Sequence, residues 1–326
     1  MAACLHVTNG DSAAAPIAGL VAPEPVLPWR DMLHDGPVRA GLGLDALSAE
    51  RARFLAGCFG LDPEAALAEF RARDARLRAA IAEGASFVLW FEHDLYDQLQ
   101  LVQVLSVLVE AGVPRARVAL VQADDHLGRM PPDALARLAR EELTDGQLEA
   151  ALDAWAAFRA PTPEPLALLL QVEPVGLRWL VPAVARLLEE LPAPGTGLSR
   201  TERRIAELLA EQPRATGKLF EAASAAEPAR FLGDWPFFLR LDALAAGPRP
   251  LVDGLPPGGF PYTGPEADRR AYLGATAKLT PAGGDVLAGR LDRATALPID
   301  RWLGGTHLRP DHLWRWDATA RALSLG

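Results

Sequence analysis

Cysteine is nearly absent from this chain: Cys4 and Cys58 are the two in 326 residues. That excludes a disulfide framework and a cysteine-rich zinc site. Lysine is as scarce, Lys218 and Lys278 being the pair, so the cationic side chains are almost all arginine. No apolar run reaches the roughly 18 residues of a membrane-crossing helix, and no membrane partner is expected. The first residues lack a basic stretch, an apolar core and a small-residue cleavage site, which makes the cytoplasm the expected location. There is no basic surplus either: 33 Lys+Arg stand against 42 Asp+Glu, a net charge of −9. The acidic excess lies in residues 1–192 and residues 193–326 are close to neutral. An acidic first half is a poor platform for polyphosphate chains, and a neutral second half lacks the usual footprint of a nucleic-acid binder. What remains is a folded composition, 50% hydrophobic and 23% charged, long enough for two domains with a sizeable core.

The boundary is expected at Leu191-Pro-Ala-Pro-Gly-Thr-Gly197, where two prolines and two glycines cannot continue a helix. It divides the chain into domains 1–192 and 193–326, with no internal repeat. In the first, Cys4–Thr8, Pro25–Trp29, Ser86–Phe91 and Arg117–Gln122 read as short buried strands. A helix is expected after Asp62-Pro63, with Leu67, Phe70, Leu77 and Ile81 on its apolar face, Asp62 as cap and Gly84 as stop. Leu95 to Ala111 is a second helix, apolar on most sides and so buried. Strand, helix, strand predicts a right-handed crossover and a Rossmann-like parallel sheet. After the fourth strand only helices are expected, near 132–140, 144–159, 163–171 and 175–191. Trp155, Phe158 and Trp179 are read as packing anchors.

In the second domain Ser199-Arg-Thr-Glu202 is a capping box opening a helix through Ile205, Leu208 and Leu209. A second helix includes Leu219 and Phe220, and a third runs from about Asp234 to Ala246. Then come a strand at Pro250–Val252, a Gly/Pro-rich loop to about Gly264, a strand at Ala277–Thr280 and a helix capped by Thr280-Pro281. This order is that of a winged helix-turn-helix-like α+β domain. Arg301 to Asp317, with Gly304-Gly305, three tryptophans and His307, reads as a strand pair closing this domain or as a lid, and Arg301 as a partner for an acid of the first domain.

Polar clusters fall at the strand ends: Thr8-Asn-Gly-Asp-Ser12, Glu92-His-Asp94 and Asp124-Asp-His126, with Arg30–Pro37 just beyond the second strand. In an open parallel sheet the carboxyl ends of the strands share one edge, and ligands bind there at the switch in strand order. These segments are therefore expected to converge. Four of the six histidines (His6, His34, His93, His126) lie in or beside them; His6, inside a strand, reads as a core residue. Asn9, Gly10 and Ser12 would offer donors at a helix start, although Asn9-Gly10 is also an ordinary turn and Ser12 an ordinary cap. With one glycine the loop is neither a dinucleotide fingerprint nor a Walker loop. Asp11 and His93 are the acid–base candidates, joined by Glu92. Asp94 and Asp97 would orient them, with Asp94 also a plain cap, and Gln98 and Arg30 would contact ligand. His126 beside Asp124 and Asp125 could ligate a metal, but no H-x-H or H-x-x-x-H spacing supports one, and no metal is expected.

Gly10-Asp-Ser12 after the first strand also resembles the opening block of the GDSL-type serine hydrolases. Their Asp-x-x-His lies near the C-terminus, whereas here Asp31-Met-Leu-His34 comes far too early and Asp311-His312 has the wrong spacing. Taken together, His6–Ser12, Leu89-Trp-Phe-Glu-His-Asp-Leu-Tyr-Asp-Gln-Leu-Gln-Leu101 and Gly197-Leu-Ser-Arg-Thr-Glu202 resemble the bacterial family catalogued as domain of unknown function 1835. Arg301–His307 and Trp314–Asp317 look familiar from its long members. The resemblance spans most of the chain and implies an architecture and a site, with no reaction attached.

The expectation is thus a protein that binds a small polar ligand, of the phosphate- or nucleoside-containing kind, at the strand ends and acts on it by acid–base chemistry. The alternatives are a ligand-sensing DNA-binding regulator, weakened because its third helix offers only Arg240 to bases, and a non-catalytic partner-binding scaffold. Nothing in the sequence fixes a cofactor or an oligomeric state.

Overall fold

A computed structural model describes residues 3–172 and 176–326. Its first-half strands are β1 (Cys4–Thr8), β2 (Val26–Pro28), the two-residue β3 (Gly36–Pro37), β4 (Ser86–Glu92), β5 (Val118–Ala123) and the two-residue β6 (Glu141–Glu142). Five of them form one sheet in the order β2-β1-β4-β5-β6, parallel except for the antiparallel edge β6. Cys4 is opposite Ser86 and Thr8 opposite Trp90. From β1 the chain steps first to β2 on one side and later to β4 on the other, so the strand order switches at β1/β4.

Side chains alternate across a strand, and here both faces are apolar. Leu5, Val7, Phe87, Leu89, Phe91, Val118 and Leu120 enter one core, and Cys4, Val88, Trp90, Val121 and Ala123 a smaller one behind the sheet. The small core is covered by α1 (Asp11–Val21) and a 3-10 turn at Leu127–Arg129. Beyond β3 lie α2 (Leu44–Phe59) and α3 (Pro63–Ala82), the latter capped by Asp62, which accepts from Ala65 N at 2.7 Å. The large core is closed by α4 (Leu95–Glu110), which is buried on nearly every side as its sequence predicts. After α5 (Pro132–Leu135) come α6 (Asp145–Phe158), α7 (Glu164–Leu169) and α8 (Leu180–Leu188); α6 and α8 pack on α4. The edge strand β6 and the helix α2 were not anticipated, β6 because two acidic residues carry no strand pattern. Of the helix expected over 175–191, residue 175 lies outside the described residues.

The second half begins with α9 (Arg200–Glu211), opened by the expected capping box: Ser199 Oγ accepts from Glu202 N at 3.2 Å and the Glu202 carboxylate from Ser199 N at 2.9 Å. Then follow β7 (Arg214–Ala215), α10 (Thr216–Ala225), α11 (Asp234–Ala245), β8 (Val252–Asp253), α12 (Glu266–Gly274), β9 (Thr276–Leu279), α13 (Pro281–Leu287) and α14 (Arg293–Ala296). β7, β9 and β8 make a small antiparallel sheet beside a core of Ile205, Leu209, Leu219, Phe237, Phe238 and Leu241. The Gly/Pro-rich loop is pinned by Asp242, which accepts from Phe260 N at 2.8 Å and from Tyr272 Oη at 2.6 Å. α12 lies where the sequence reading had only loop before the last strand.

The chain then returns to the first half. β10 (Arg301–Gly304) pairs antiparallel with β11 (Thr306–Leu308) and parallel with β3, Leu303 lying opposite Gly36. β12 (Trp314–Asp317) and β13 (Ala322–Leu325) form a hairpin. Ile299, Leu303, Leu308, Leu313 and Trp316 join the first-half core. The expected strand pair thus exists, but it closes the first core. Gly304 has φ +59, and a Cβ there would overlap Phe158 O, so a backbone without a side chain is needed where β10 crosses α6.

The segment between α8 and α9 is also fixed. Ala193 N donates to Leu198 O at 2.9 Å and Arg200 N to Glu189 O at 2.8 Å. Around it runs a buried charge network. Glu190 accepts from Arg186 at 2.8 Å, Arg240 Nε stands 3.2 Å from its other oxygen, and Arg301 donates to its backbone carbonyl. Burial works to raise the Glu190 pKa, but the guanidiniums of Arg186, Arg240 and Arg301 outweigh it and hold the carboxyl well below the ordinary range. Among the described residues no helix is long and apolar enough to cross a membrane.

Candidate functional site

The ends of β1 and β4 meet at the strand-order switch, and a cavity of about 690 Å³ opens there. Asn9 and Ser12 from the β1 exit, Glu92 and Asp94 from the β4 exit, Tyr96 and Asp97 from α4, and His126 after β5 line one side. The opposite side comes from the second half: Phe220 and Ser224 of α10, then Arg230, Phe231 and Gly233.

The acidic side is ordered by the backbone. Asp94 caps α4, its Oδ1 accepting from Asp97 N at 3.1 Å. Asp97 faces back, taking Glu92 N at 2.7 Å on Oδ1 and Asn9 Nδ2 at 2.8 Å on Oδ2, which ties β1 to β4. Gln98 donates to Glu92 O at 2.7 Å. Glu92 accepts from Leu127 N at 2.8 Å with one oxygen and from His126 Nδ1 at 2.8 Å with the other. A carboxylate can only accept, so His126 carries its proton on Nδ1.

Three carboxyls are therefore buried together, and among the described residues no Arg or Lys pairs with any of them. The energetic consequence is marked. Burial pushes the Asp94 carboxyl up to about 7, against the Asp97 N–H that lowers it and with the charge of Glu92 that raises it further. Asp97 is raised well above its ordinary range by burial and then by Asp94 and Glu92. His126 is raised chiefly by its hydrogen bond to Glu92, burial opposing.

Asn9, Ser12, Glu92, Asp94 and Asp97 thus line the cavity, and Gln98 sits beneath it, fully buried, holding the Glu92 backbone. Gly10, Asp11, Arg30 and His93 are not among its lining residues. Gly10 is the extended residue before α1. Asp11 and Arg30 are exposed and grip each other through two hydrogen bonds of 2.8 and 2.5 Å, and the Arg30 guanidinium holds the Asp11 carboxyl below its ordinary range. His93 packs its ring 5.6 Å from Trp179 and 6.3 Å from His126. Of Asp124-Asp-His126, only His126 reaches the cavity, while Asp125 accepts from His126 N at 2.7 Å.

The sequence reading placed Asp124–His126 at this edge but gave His126 no settled role, and it missed Tyr96, Arg129 and the whole side formed by α10 and residues 230–233. Residue spacing carries no signal for contacts between halves more than a hundred residues apart. Arg129 and Arg230 matter most: both line the cavity, both are exposed, and neither has an ion-pair partner among the described residues. Gly128 sets the height of the Leu127–Arg129 turn, because a Cβ there would overlap Ser12 Oγ and the Ser12 backbone.

Two groups of metal-ligating side chains occur among the described residues. In the first, Trp90 Nε1 donates to His6 Nδ1 at 2.9 Å, so His6 Nε2 carries the proton it gives Glu24 at 2.6 Å, and burial raises the nearby Cys4 thiol pKa. In the second, donor atoms of Glu92, Asp94 and His126 lie within 4.8 Å of one another. Compared with known proteins, the chain matches no family model and no curated protein.

Proposed function

We propose that the chain binds a small anionic molecule, of the phosphate- or nucleoside-containing kind, in the cleft between its two halves. Protons would be exchanged with it at Glu92, Asp94 and His126. The observation that carries this reading is one cavity of about 690 Å³ with a carboxylate–histidine cluster on one side and, among its lining, the guanidiniums of Arg129 and Arg230, which have no ion-pair partner among the described residues. An uncompensated arginine lining a cleft is suited to phosphate or carboxylate. The position at the strand-order switch is where open parallel sheets take ligands.

We read the β2-β1-β4-β5 arrangement as Rossmann-like and the unit of α9, α10, α11 and β7-β9-β8 as winged-helix-like. Its role in this proposal is to roof the cleft. What favours a roof over a DNA reader is α11: its one basic residue, Arg240, is buried and bonded to Asp35 at 3.0 Å. We also propose membership of the bacterial family of domain of unknown function 1835, on the motifs quoted above; it brings no reaction with it.

The test is a thermal-shift and calorimetric panel of pyrophosphate, nucleoside mono- and diphosphates and sugar phosphates. A ligand that binds only the folded chain raises its stability by mass action. Wild type should be stabilised by at least one member, and the double variant Arg129→Gln/Arg230→Gln should lose that shift. An unresponsive wild type, or a double variant that responds equally, overturns the reading.

A further inference from the structure

The geometry points to a divalent-cation site formed by Glu92, Asp94 and His126 on the strand-end side of the cleft, taking an ion of the Mn²⁺, Fe²⁺ or Zn²⁺ class. This rests on the cleft being the ligand site and gives its carboxylate–histidine end the task of holding an ion, in place of direct proton exchange by those three side chains.

Three observations carry it. The donor atoms come from three separate stretches, the end of β4, the cap of α4 and the turn after β5, yet lie within 4.8 Å of one another. His126 Nδ1 and Glu92 Oε2 are 2.8 Å apart, bridged by the Nδ1 proton, which an entering ion would displace into solvent. Neighbouring ligands of a six-coordinate ion with bonds of about 2.1 Å are separated by about 3 Å, so the pair already spans one edge of such a shell. Asp94 is 3% exposed and lines the cavity, and no side-chain donor among the described residues reaches it. Its Oδ1 is used by the helix cap, and the Tyr96 backbone N–H also faces the carboxyl, so the contacts it makes are to the backbone.

Charge argues the same way. Glu92, Asp94 and Asp97 are gathered out of water with one imidazole, and among the described residues no guanidinium or ammonium is paired to them. Buried charges are ordinarily paired or coordinate a metal. One imidazole with two carboxylates suits Mn²⁺, Fe²⁺ or Zn²⁺ better than the all-oxygen preference of Mg²⁺ or Ca²⁺. The backbone supplies the supporting shell: Leu127 N fixes the second Glu92 oxygen at 2.8 Å and Asp97 N the Asp94 Oδ1 at 3.1 Å. An ion there would meet an anionic group held by Arg129 and Arg230 across the same cavity, and would make a bound water more acidic beside it.

The experiment titrates metal-stripped full-length chain with Mn²⁺, read by calorimetry and by electron paramagnetic resonance of the free ion. One saturable site per chain is expected. Glu92→Gln and His126→Asn should each weaken it at least tenfold, with circular dichroism matching wild type, and Asp11→Asn should leave it unchanged. Two variants on different elements guard against a single misfolded protein. No saturable site, or full affinity in both variants, overturns the cation site. Pyrophosphate binding without metal is measured in parallel. If it persists in wild type and fails in Arg129→Gln/Arg230→Gln while Mn²⁺ never binds, the cation site is wrong and the cleft stands. If both ligands fail, the cleft reading has fallen.

Discussion

Arg240 Nη1 and Asp35 Oδ2 lie 3.0 Å apart, both buried, across 205 residues of chain. The pair fastens α11 to the loop after β2, and Glu190 stands behind it. Removing one member of a buried ion pair leaves an uncompensated charge and costs about 3–5 kcal/mol. Arg240→Met should therefore lower the urea-unfolding free energy by that much. The double variant Arg240→Met/Asp35→Asn should cost less than the sum of the two single changes. A loss below about 1 kcal/mol for Arg240→Met would show that the pair holds nothing.

His34 gives a pH dependence with a defined sign. It is buried against the edges of Tyr96 and Phe231, and burial pushes its pKa down to about 4, Asp35 raising and Arg240 lowering it to lesser degree. Its folded pKa lies below its unfolded value, about 6.5. Above pH 6.5 both states are neutral and its stabilising effect is complete. Between 6.5 and 4 only the unfolded chain takes the proton, so stability falls with pH by up to about 3 kcal/mol in total. Raised groups such as Asp94 and His126 act in the opposite sense, so the measurement is a difference. Wild type minus His34→Leu, followed by urea unfolding from pH 7.5 to 4.5, should decline toward acid. A flat difference curve contradicts the burial argument.

Gly128 should be intolerant of even one methyl group. A Cβ would strike the Ser12 backbone, and backbone cannot rotate away as a side-chain tip can. Gly128→Ala should destabilise the chain by about 1–3 kcal/mol and weaken whatever the cleft binds, because Ser12, Arg129 and His126 move with the turn. Equal stability and equal pyrophosphate affinity would show that the turn adapts.

Much of this was legible in the sequence, and the reasons are local. Short apolar runs marked β1, β4 and β5, because strands buried on both faces need no alternation. Asp62, Ser199 and Thr280 marked helix starts, because a cap is a bond between near neighbours. The strand-end rule brought Asn9, Glu92 and Asp94 together without any long-range information. What failed was nearly all non-local. Glu92-His-Asp94 reads as three candidates, but His93 packs against Trp179 and does not line the cavity. Asp11 looked like a base until its neighbour across the turn, Arg30, was placed. Of Asp124-Asp-His126 the sequence could not say which member faces the cleft; the two acids are exposed and only His126 lines it. β3 could not be read at all: Gly36-Pro37 becomes a strand because residues 303 and 304 arrive beside it.

That last pairing orders events during synthesis. Gly36 leaves the ribosome 267 residues before its partner Leu303, and at about 5–20 residues per second the wait is on the order of tens of seconds. Through that interval the surface later covered by Leu303, Leu308 and Trp316 stays open, a target for chaperones and for misassociation with other nascent chains. A chain truncated before residue 300 lacks Leu303, Leu308 and Trp316 and leaves that part of the core uncovered.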